Sequence, residues 1–217
     1  MALNLAEREY RKRMLLGGSA TELRGSAVAA RREEAAPQIP GRWAPLYLAT
    51  VGAVAGFLGS VSSLFFNVLG AWASGIDKLM LLRVYATIIE GPSALDPRNS
   101  SFFLSVLLTH LAVGSFFGAL FVLAVRRIAA GAALMRTLSY GLLFGLAIWV
   151  VNFYLLLSWL QPLMSGEAYI VNGIPWWVAG LTHSCYGLTL ALVSFPFQSD
   201  VESGYEEEGR ATIDKAI

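Results

Sequence analysis

Four long stretches without a single Asp, Glu, Lys or Arg most constrain what this chain can fold into. They cover residues 44–76, 99–125, 137–166 and 168–199, and their lengths are 33, 27, 30 and 32 residues. A helix needs about 20 mainly apolar residues to cross a hydrocarbon core of about 30 Å. A helix on a soluble bundle would carry polar residues along its wet face, and these stretches do not. The sequence therefore predicts an all-α membrane protein with four transmembrane helices. The predicted spans cover residues 44–72, 101–125, 137–161 and 175–197.

The basic residues predict how the chain is oriented in the membrane. Eight of the sixteen Lys and Arg residues precede the first span, three lie between spans two and three, and two follow span four. Only three lie in the two remaining loops. Because Lys and Arg near helix ends favour the cytoplasmic side, we expect both termini in the cytoplasm. The long polar segment before the first span, with its several glutamates, is untypical of a cleaved signal or transit peptide. These patterns predict a multi-pass protein of a bacterial inner membrane.

Outside the membrane domain, predicted as residues 42–198, the chain has two cytoplasmic tails. In the N-terminal tail, residues 1–41, an apolar stripe and ion pairs spaced four residues apart predict a basic amphipathic helix at 2–16. Such a helix lies on anionic lipid, docks on a partner subunit, or is simply solvated. A linker rich in Gly, Ala and Ser follows it. The C-terminal tail, residues 199–217, is acidic and reads as a solvated end.

Two further features are predicted at the outer membrane surface. Residues 74–90 have the pattern of an amphipathic helix, with Ser74 and Asp77 in capping positions and a Gly-Pro stop after Glu90. The sequence Ile-Pro-Trp-Trp before span four predicts that Trp176 and Trp177 anchor this helix at the headgroup level.

An internal repeat suggests how the spans are related. Span two contains Leu-Thr-His-x-x-x-Gly ending at Gly114, and span four repeats this string, ending at Gly187. Spans one and three share a weaker Gly-x-x-x-Gly pattern. We therefore predict two duplicated helical hairpins. Small residues four apart let helix backbones approach closely, which favours association within lipid. The predicted packing glycines are Gly52, Gly56, Gly59, Gly114, Gly118, Gly141, Gly145 and Gly187.

In these core spans, residues 44–197, the chain resembles the YagU-type family of uncharacterised bacterial inner-membrane proteins. Four features carry the resemblance: the glycine-rich first span, a second span with His before its glycines, a third span with Gly145, Trp149 and Asn152, and a fourth opening Pro-Trp and continuing His-x-x-x-Gly. The resemblance implies four spans in a bacterial inner membrane and supplies no activity. The N-terminal tail and the outer helix at 74–90 look like additions to that pattern.

His110 and His183 are the only histidines, and both lie in the repeated string. Ionisable side chains inside a membrane are functional candidates by default. At 1.5 Å per residue both should lie about 12–15 Å from the outer boundary. Three roles stay open: hydrogen bonds between helices, ligation of haem b or a metal ion, and contact with a pigment or quinone.

No motif in the sequence names a reaction. The predicted spans contain no charged residue, which argues against an ion pump. Cys185 is the only cysteine, so a disulfide within the chain is impossible. We therefore predict a non-catalytic accessory subunit of a larger membrane complex, respiratory or photosynthetic, whose partners are other membrane subunits and lipids rather than nucleic acid. The alternatives are a haem-b electron carrier that uses both histidines and a small-solute permease.

Overall fold

The computed structural model describes residues 43–129 and 132–197. All regular secondary structure within these two ranges is helical. The helix predicted at residues 2–16, the linker that follows it and the tail at residues 199–217 lie outside the described residues.

Seven α-helices form the described part of the chain. They are joined by a 3₁₀ turn at Gly91–Leu95 and a π-helical turn at Val151–Leu157, and a second 3₁₀ turn, Phe195–Phe197, follows the last of them. The helices are α1 (Ala44–Ala73), α2 (Met80–Glu90), α3 (Phe102–Ala129), α4 (Leu134–Val150), α5 (Ser158–Ser165), α6 (Tyr169–Gly173) and α7 (Trp176–Ser194).

Four helical segments are long and apolar enough to cross a membrane, as predicted. The first, second and fourth lie close to their predicted bounds, at Ala44–Ala73, Phe102–Ala129 and Trp176–Phe197. The third runs over Leu134–Ser165, several residues beyond the prediction at both ends, because α4, the π-helical turn and α5 follow one another without a break.

Helix α2 begins at Met80, six residues later than the predicted start at 74. The reason is a turn after α1, where Gly75 has a φ of +69° that a continuing helix does not allow. Asp77 Oδ1 then accepts a hydrogen bond from the backbone N–H of Leu79 just before the helix starts. The N-cap is Leu79, which carries no side-chain cap, so neither predicted residue caps α2: Asp77 bonds a turn residue just before the helix, and Ser74 belongs to the turn.

The four membrane-length segments pack in the spatial order α3, α1, α7, α4. Helix α1 packs along both α3 and α7, and α4 packs along α7, whereas α3 and α4 touch each other little. Helix α2 covers one end of this row through contacts with α3, α6 and α1. We call this the α2 end of the bundle.

Close backbone approach holds α1 against α3. A methyl group built on Gly52 would lie 2.7 Å from Ala119 Cα, and one on Gly118 would lie 2.7 Å from Gly56 Cα. A methyl group on Gly56 would overlap the carbonyl oxygen of Gly114. Only glycine fits these places, since real side chains do not approach backbone so closely.

The contact between α4 and α7 has the same character. A methyl group on Gly141 would lie 2.6 Å from Ala191 Cβ, and one on Gly145 would overlap the carbonyl oxygen of His183. A methyl group on Gly187 would meet the Gly141 backbone. Between α1 and α7, a methyl group on Gly59 would instead lie 3.0 Å from the ring of Tyr186.

Polar side chains tie the α2 end together. Arg83 on α2 donates hydrogen bonds to four backbone carbonyls of the following loop, those of Ala94, Asp96, Pro97 and Asn99, over 2.7–3.3 Å. Its guanidinium also lies 4.1 Å from the ring centroid of Phe102.

A second polar contact at the α2 end is fully buried. Gln161 on α5 donates a hydrogen bond to Thr87 Oγ1 at 2.8 Å and accepts one from the backbone N–H of Ile170 at 2.9 Å. Gln161 is 2% exposed, so its amide links α2, α5 and α6 where no water replaces these bonds.

Candidate ligand cavity

A cavity of about 140 Å³ lies within the described bundle. Helices α1, α2, α3, α6 and α7 contribute to its wall, together with α4 and the π-helical turn. Most of the wall is apolar, from residues such as Ile88, Val106, Phe117, Ile148 and Phe153. The polar side chains that line it are Ser60, Ser63, Tyr85, Thr109, His110, Asn152, His183 and Tyr186.

Both histidines of the protein line this cavity. The sequence placed them at equal depth on two helices, and the structure brings the two side chains to one site. The surroundings of each ring show which of its nitrogen atoms are free to bind a ligand or a neighbouring helix.

The His183 ring is fixed by its own helix. Its Nδ1 lies 2.8 Å from the carbonyl oxygen of Ala179, one turn earlier in α7. A carbonyl only accepts, so a neutral His183 carries its proton on Nδ1. Its Nε2 is then a hydrogen-bond acceptor or a metal ligand. The ring of Phe153 packs edge-on against it at a centroid distance of 5.8 Å.

The His110 ring has no hydrogen-bond partner among the described residues. It packs against the ring of Tyr85 at a centroid distance of 5.9 Å. A polar ring inside a membrane bundle normally finds a hydrogen bond. His110 therefore offers an unused donor and an unused acceptor at the cavity.

Tyr85 reaches the cavity from α2, outside the four membrane-length segments. Burial raises the pKa of its hydroxyl, and the neighbouring Asn67 amide opposes this only in part. Tyr85 is therefore a neutral phenol at physiological pH, able both to donate and to accept a hydrogen bond. Asn67 is fully buried; its amide donates to the Ser63 carbonyl, and its Oδ1 has no partner among the described residues.

The π-helical turn places two side chains in the wall. Asn152 and Phe153 both belong to Val151–Leu157 and both line the cavity. One wider turn rotates the following residues around the helix axis, and such turns are frequent at functional sites. The Asn152 amide has no hydrogen-bond partner among the described residues. Just before the turn, the buried Nε1 of Trp149 is likewise unsatisfied within the described part of the chain.

The remaining polar groups are mostly used within the protein. Tyr186 donates a hydrogen bond to the Gly114 carbonyl at 2.7 Å, and Thr109 donates to the Ser105 carbonyl at 2.6 Å. Ser60, 1% exposed, points at Gly114 and has no hydrogen-bond partner in the described ranges. The groups that stay free in this wall, within the described residues, thus include the Ser60 hydroxyl, the His110 ring, Nε2 of His183 and the Asn152 amide.

The sequence indicated His110 and His183 as candidates in this wall and gave Asn152 only as part of the family resemblance, and it did not indicate Tyr85. Tyr85 was hidden because it lies on a surface helix whose packing no local pattern predicts. The predicted anchors Trp176 and Trp177 are 69% and 40% exposed at the start of α7, apart from the cavity. Cys185 is half-buried and does not line it.

The cavity has the general character of a small-molecule binding site. Within 43–129 and 132–197, no three His, Cys, Asp or Glu side chains are grouped as a metal site. The hydroxyls of Thr109 and Tyr186 are both occupied by backbone carbonyls, so neither is paired with an activating base. The cavity offers a mainly apolar wall with a few converging polar groups, which is the usual character of a small-molecule site.

Comparison of the chain with protein-family models, with curated proteins and with solved structures finds no match.

Proposed function

We propose that this chain is a non-catalytic accessory subunit of a larger bacterial membrane complex, respiratory or photosynthetic, which acts by helix packing. The third membrane-length segment carries the proposal. Only 17% of an apolar 18-residue stretch of this segment is buried, against 44% of the corresponding stretch of the fourth segment. This surface is therefore open to contact with lipid or with another subunit.

The length of that exposed surface favours a protein partner. Met135 near the start of the segment is 74% exposed, and Leu163 near its end is 76% exposed. At 1.5 Å per residue these two side chains are about 42 Å apart along the helix, more than the hydrocarbon core of about 30 Å. An apolar side chain beyond the core faces headgroups or water unless another protein covers it.

The other expectations from sequence belong to the same proposal. We propose that the two hairpins are copies of one unit, and the similar glycine contacts of α1 with α3 and of α4 with α7 support this. The chain resides in a bacterial inner membrane with both termini in the cytoplasm, and its tails clamp neighbouring subunits. The resemblance to the YagU-type family supports four spans and nothing more specific.

Gentle solubilisation of the native membrane tests the proposal. We expect the protein to elute in an assembly much larger than one chain. A double variant, Leu163→Ser with Met164→Ser, should weaken that assembly because both side chains are more than 60% exposed on the third segment. The matched control is Leu104→Ser with Leu108→Ser, a similarly exposed pair on α3. Recovery of the unaltered protein only as a monomer or simple homodimer would rule the proposal out.

A haem-b carrier is the second candidate, because His110 and His183 line one cavity. The Nδ1 contact of His183 with a carbonyl is the kind of outer interaction that orients a histidine toward a metal. The size of the cavity opposes it, since a haem is far larger than the about 140 Å³ present. A reduced-minus-oxidised absorbance spectrum of the isolated protein decides: a haem band lost in His110→Ala and His183→Ala would establish the carrier.

A further inference from the structure

We propose that the cavity binds the head group of a membrane quinol: one aromatic ring with hydroxyl groups on opposite sides and an apolar tail. Size is the first argument. The cavity measures about 140 Å³, close to the roughly 150 Å³ of an engineered protein cavity that accepts benzene. One six-membered ring fits this space.

The composition of the cavity wall favours an aromatic ring over a cluster of water molecules as the occupant. Apolar cavities of this size stay dry, whereas buried water needs two to four polar partners for each molecule. Here apolar side chains make up most of the wall, and Phe117 and Phe153 among them offer aromatic contacts. A flat aromatic ring makes more favourable packing contacts with such a wall than water does.

The polar groups of the wall select the reduced form of the ring. His183 donates through Nδ1 to Ala179, so its Nε2 needs a donor from the ligand. A quinol O–H supplies that donor, and the oxidised ring, which has only carbonyl oxygens, cannot. His110 and Asn152, both without a partner among the described residues, remain for the second oxygen.

The tail of such a ligand has a path to lipid. Val113 on α3 lines the cavity and is also 44% exposed. A ligand therefore enters sideways from the bilayer beside Val113, with its ring inside the cavity and its tail toward the lipid.

Binding of 2-decyl-1,4-benzoquinol and of 2-decyl-1,4-benzoquinone, whose rings carry no substituent besides the tail and the two oxygens, to the purified full chain in nanodiscs tests the proposal, with tryptophan fluorescence quenching as the readout. The reduced probe should bind at least about tenfold more tightly than the oxidised probe, the effect of one unpaired buried acceptor. His183→Leu should remove this preference. Val106→Phe, which fills the cavity from α3, should abolish binding of both probes, and Leu104→Phe on the exposed side of α3 should leave binding unchanged.

Gel filtration and the thermal unfolding midpoint of each variant show whether it folds, and if Val106→Phe does not, His183→Leu alone decides. Equal binding of the two probes by the unaltered chain would overturn the proposal. So would binding that survives Val106→Phe in a folded protein, because the probe would then lie on the surface. A Soret band in the purified chain, or no binding of either probe, would overturn it as well, in favour of haem or of a water-filled cavity respectively.

Discussion

The middle of the bundle and its α2 end are held together by different kinds of contact. In the middle, glycines such as Gly56 and Gly118 bring helix backbones together. At the α2 end, Arg83 and Gln161 bind backbone and hydroxyl groups of neighbouring segments. Inside lipid there is no hydrophobic force between apolar helices, so close packing must supply the attraction. At the α2 end the chain turns repeatedly, and its free backbone groups require polar partners.

Because of this difference, we expect added side-chain atoms to destabilise the middle of the bundle. We expect the loss of hydrogen-bonding groups to destabilise the α2 end. Three substitutions and a change of pH test these expectations, in order of decreasing expected effect. The measurement is the free energy of unfolding in mixed micelles unless another one is named.

Gly56→Leu should have the largest effect. The new side chain would collide with the Gly114 carbonyl oxygen, which belongs to a helix backbone and cannot move aside. We expect a loss of about 3 kcal/mol or complete failure to fold, at the upper end of overpacking effects. Val54→Leu, on the exposed side of the same helix, is the control and should change little. A stable Gly56→Leu protein would contradict the close contact between α1 and α3.

Arg83→Met should come next, with a loss of about 2–3 kcal/mol. The change keeps a long apolar stem and removes a charged donor that serves four carbonyls. Arg98→Met is the matched control, because Arg98 is exposed in the same loop. Proteolysis should also cleave the loop after α2 faster in Arg83→Met. If the two variants unfold alike, the loop does not depend on the Arg83 contacts.

Tyr186→Phe should cost about 1 kcal/mol. It removes one hydrogen bond, from the Tyr186 hydroxyl to the Gly114 carbonyl, and leaves the ring against Gly59. Tyr154→Phe, on an exposed ring of the third segment, is the control. A loss as large as that of Gly56→Leu would show that a polar contact rather than backbone approach dominates the middle.

Acid should have the smallest effect, and it should act at the α2 end through Glu90. Hydrogen bonds from Ser105, Asn99 and Ser101 hold the pKa of this carboxyl below its usual range. Because the folded-state pKa is lowered, the stabilisation is present above the usual value and is lost as the pH falls through the folded-state value. Unfolding midpoints measured below pH 5 should decline less steeply in Glu90→Gln than in the unaltered protein. Parallel curves would show that Glu90 contributes nothing.

The cavity adds a third kind of region to this comparison. Its wall joins the apolar middle to the α2 end, since His110 and His183 come from the bundle and Tyr85 comes from α2. Backbone packing leaves the His110 ring, Nε2 of His183 and the Asn152 amide without partners among the described residues, and the Arg83 contacts of the loop do not reach them.

The sequence by itself determined the number and approximate limits of the membrane-length helices. Long uncharged runs leave no alternative, because every backbone polar group inside lipid must be bonded within its own helix. The repeated string likewise indicated His110 and His183 as the residues to examine. The turn at Gly75 and the π-helical turn moved helix ends by several residues from their predicted positions. No periodic pattern in the sequence predicts these shifts.

Only the tertiary structure decided which helices touch and what their side chains share. Nothing local in the sequence orders the helices as α3, α1, α7 and α4, because many pairings of glycine-rich helices satisfy the same pattern. That order brings His110 and His183 to one cavity, and the π-helical turn adds Asn152 to it. Tyr85 joins them because α2 folds back over the end of the bundle. Each of these positions depends on contacts between residues far apart in the chain, and local propensity carries no information about them.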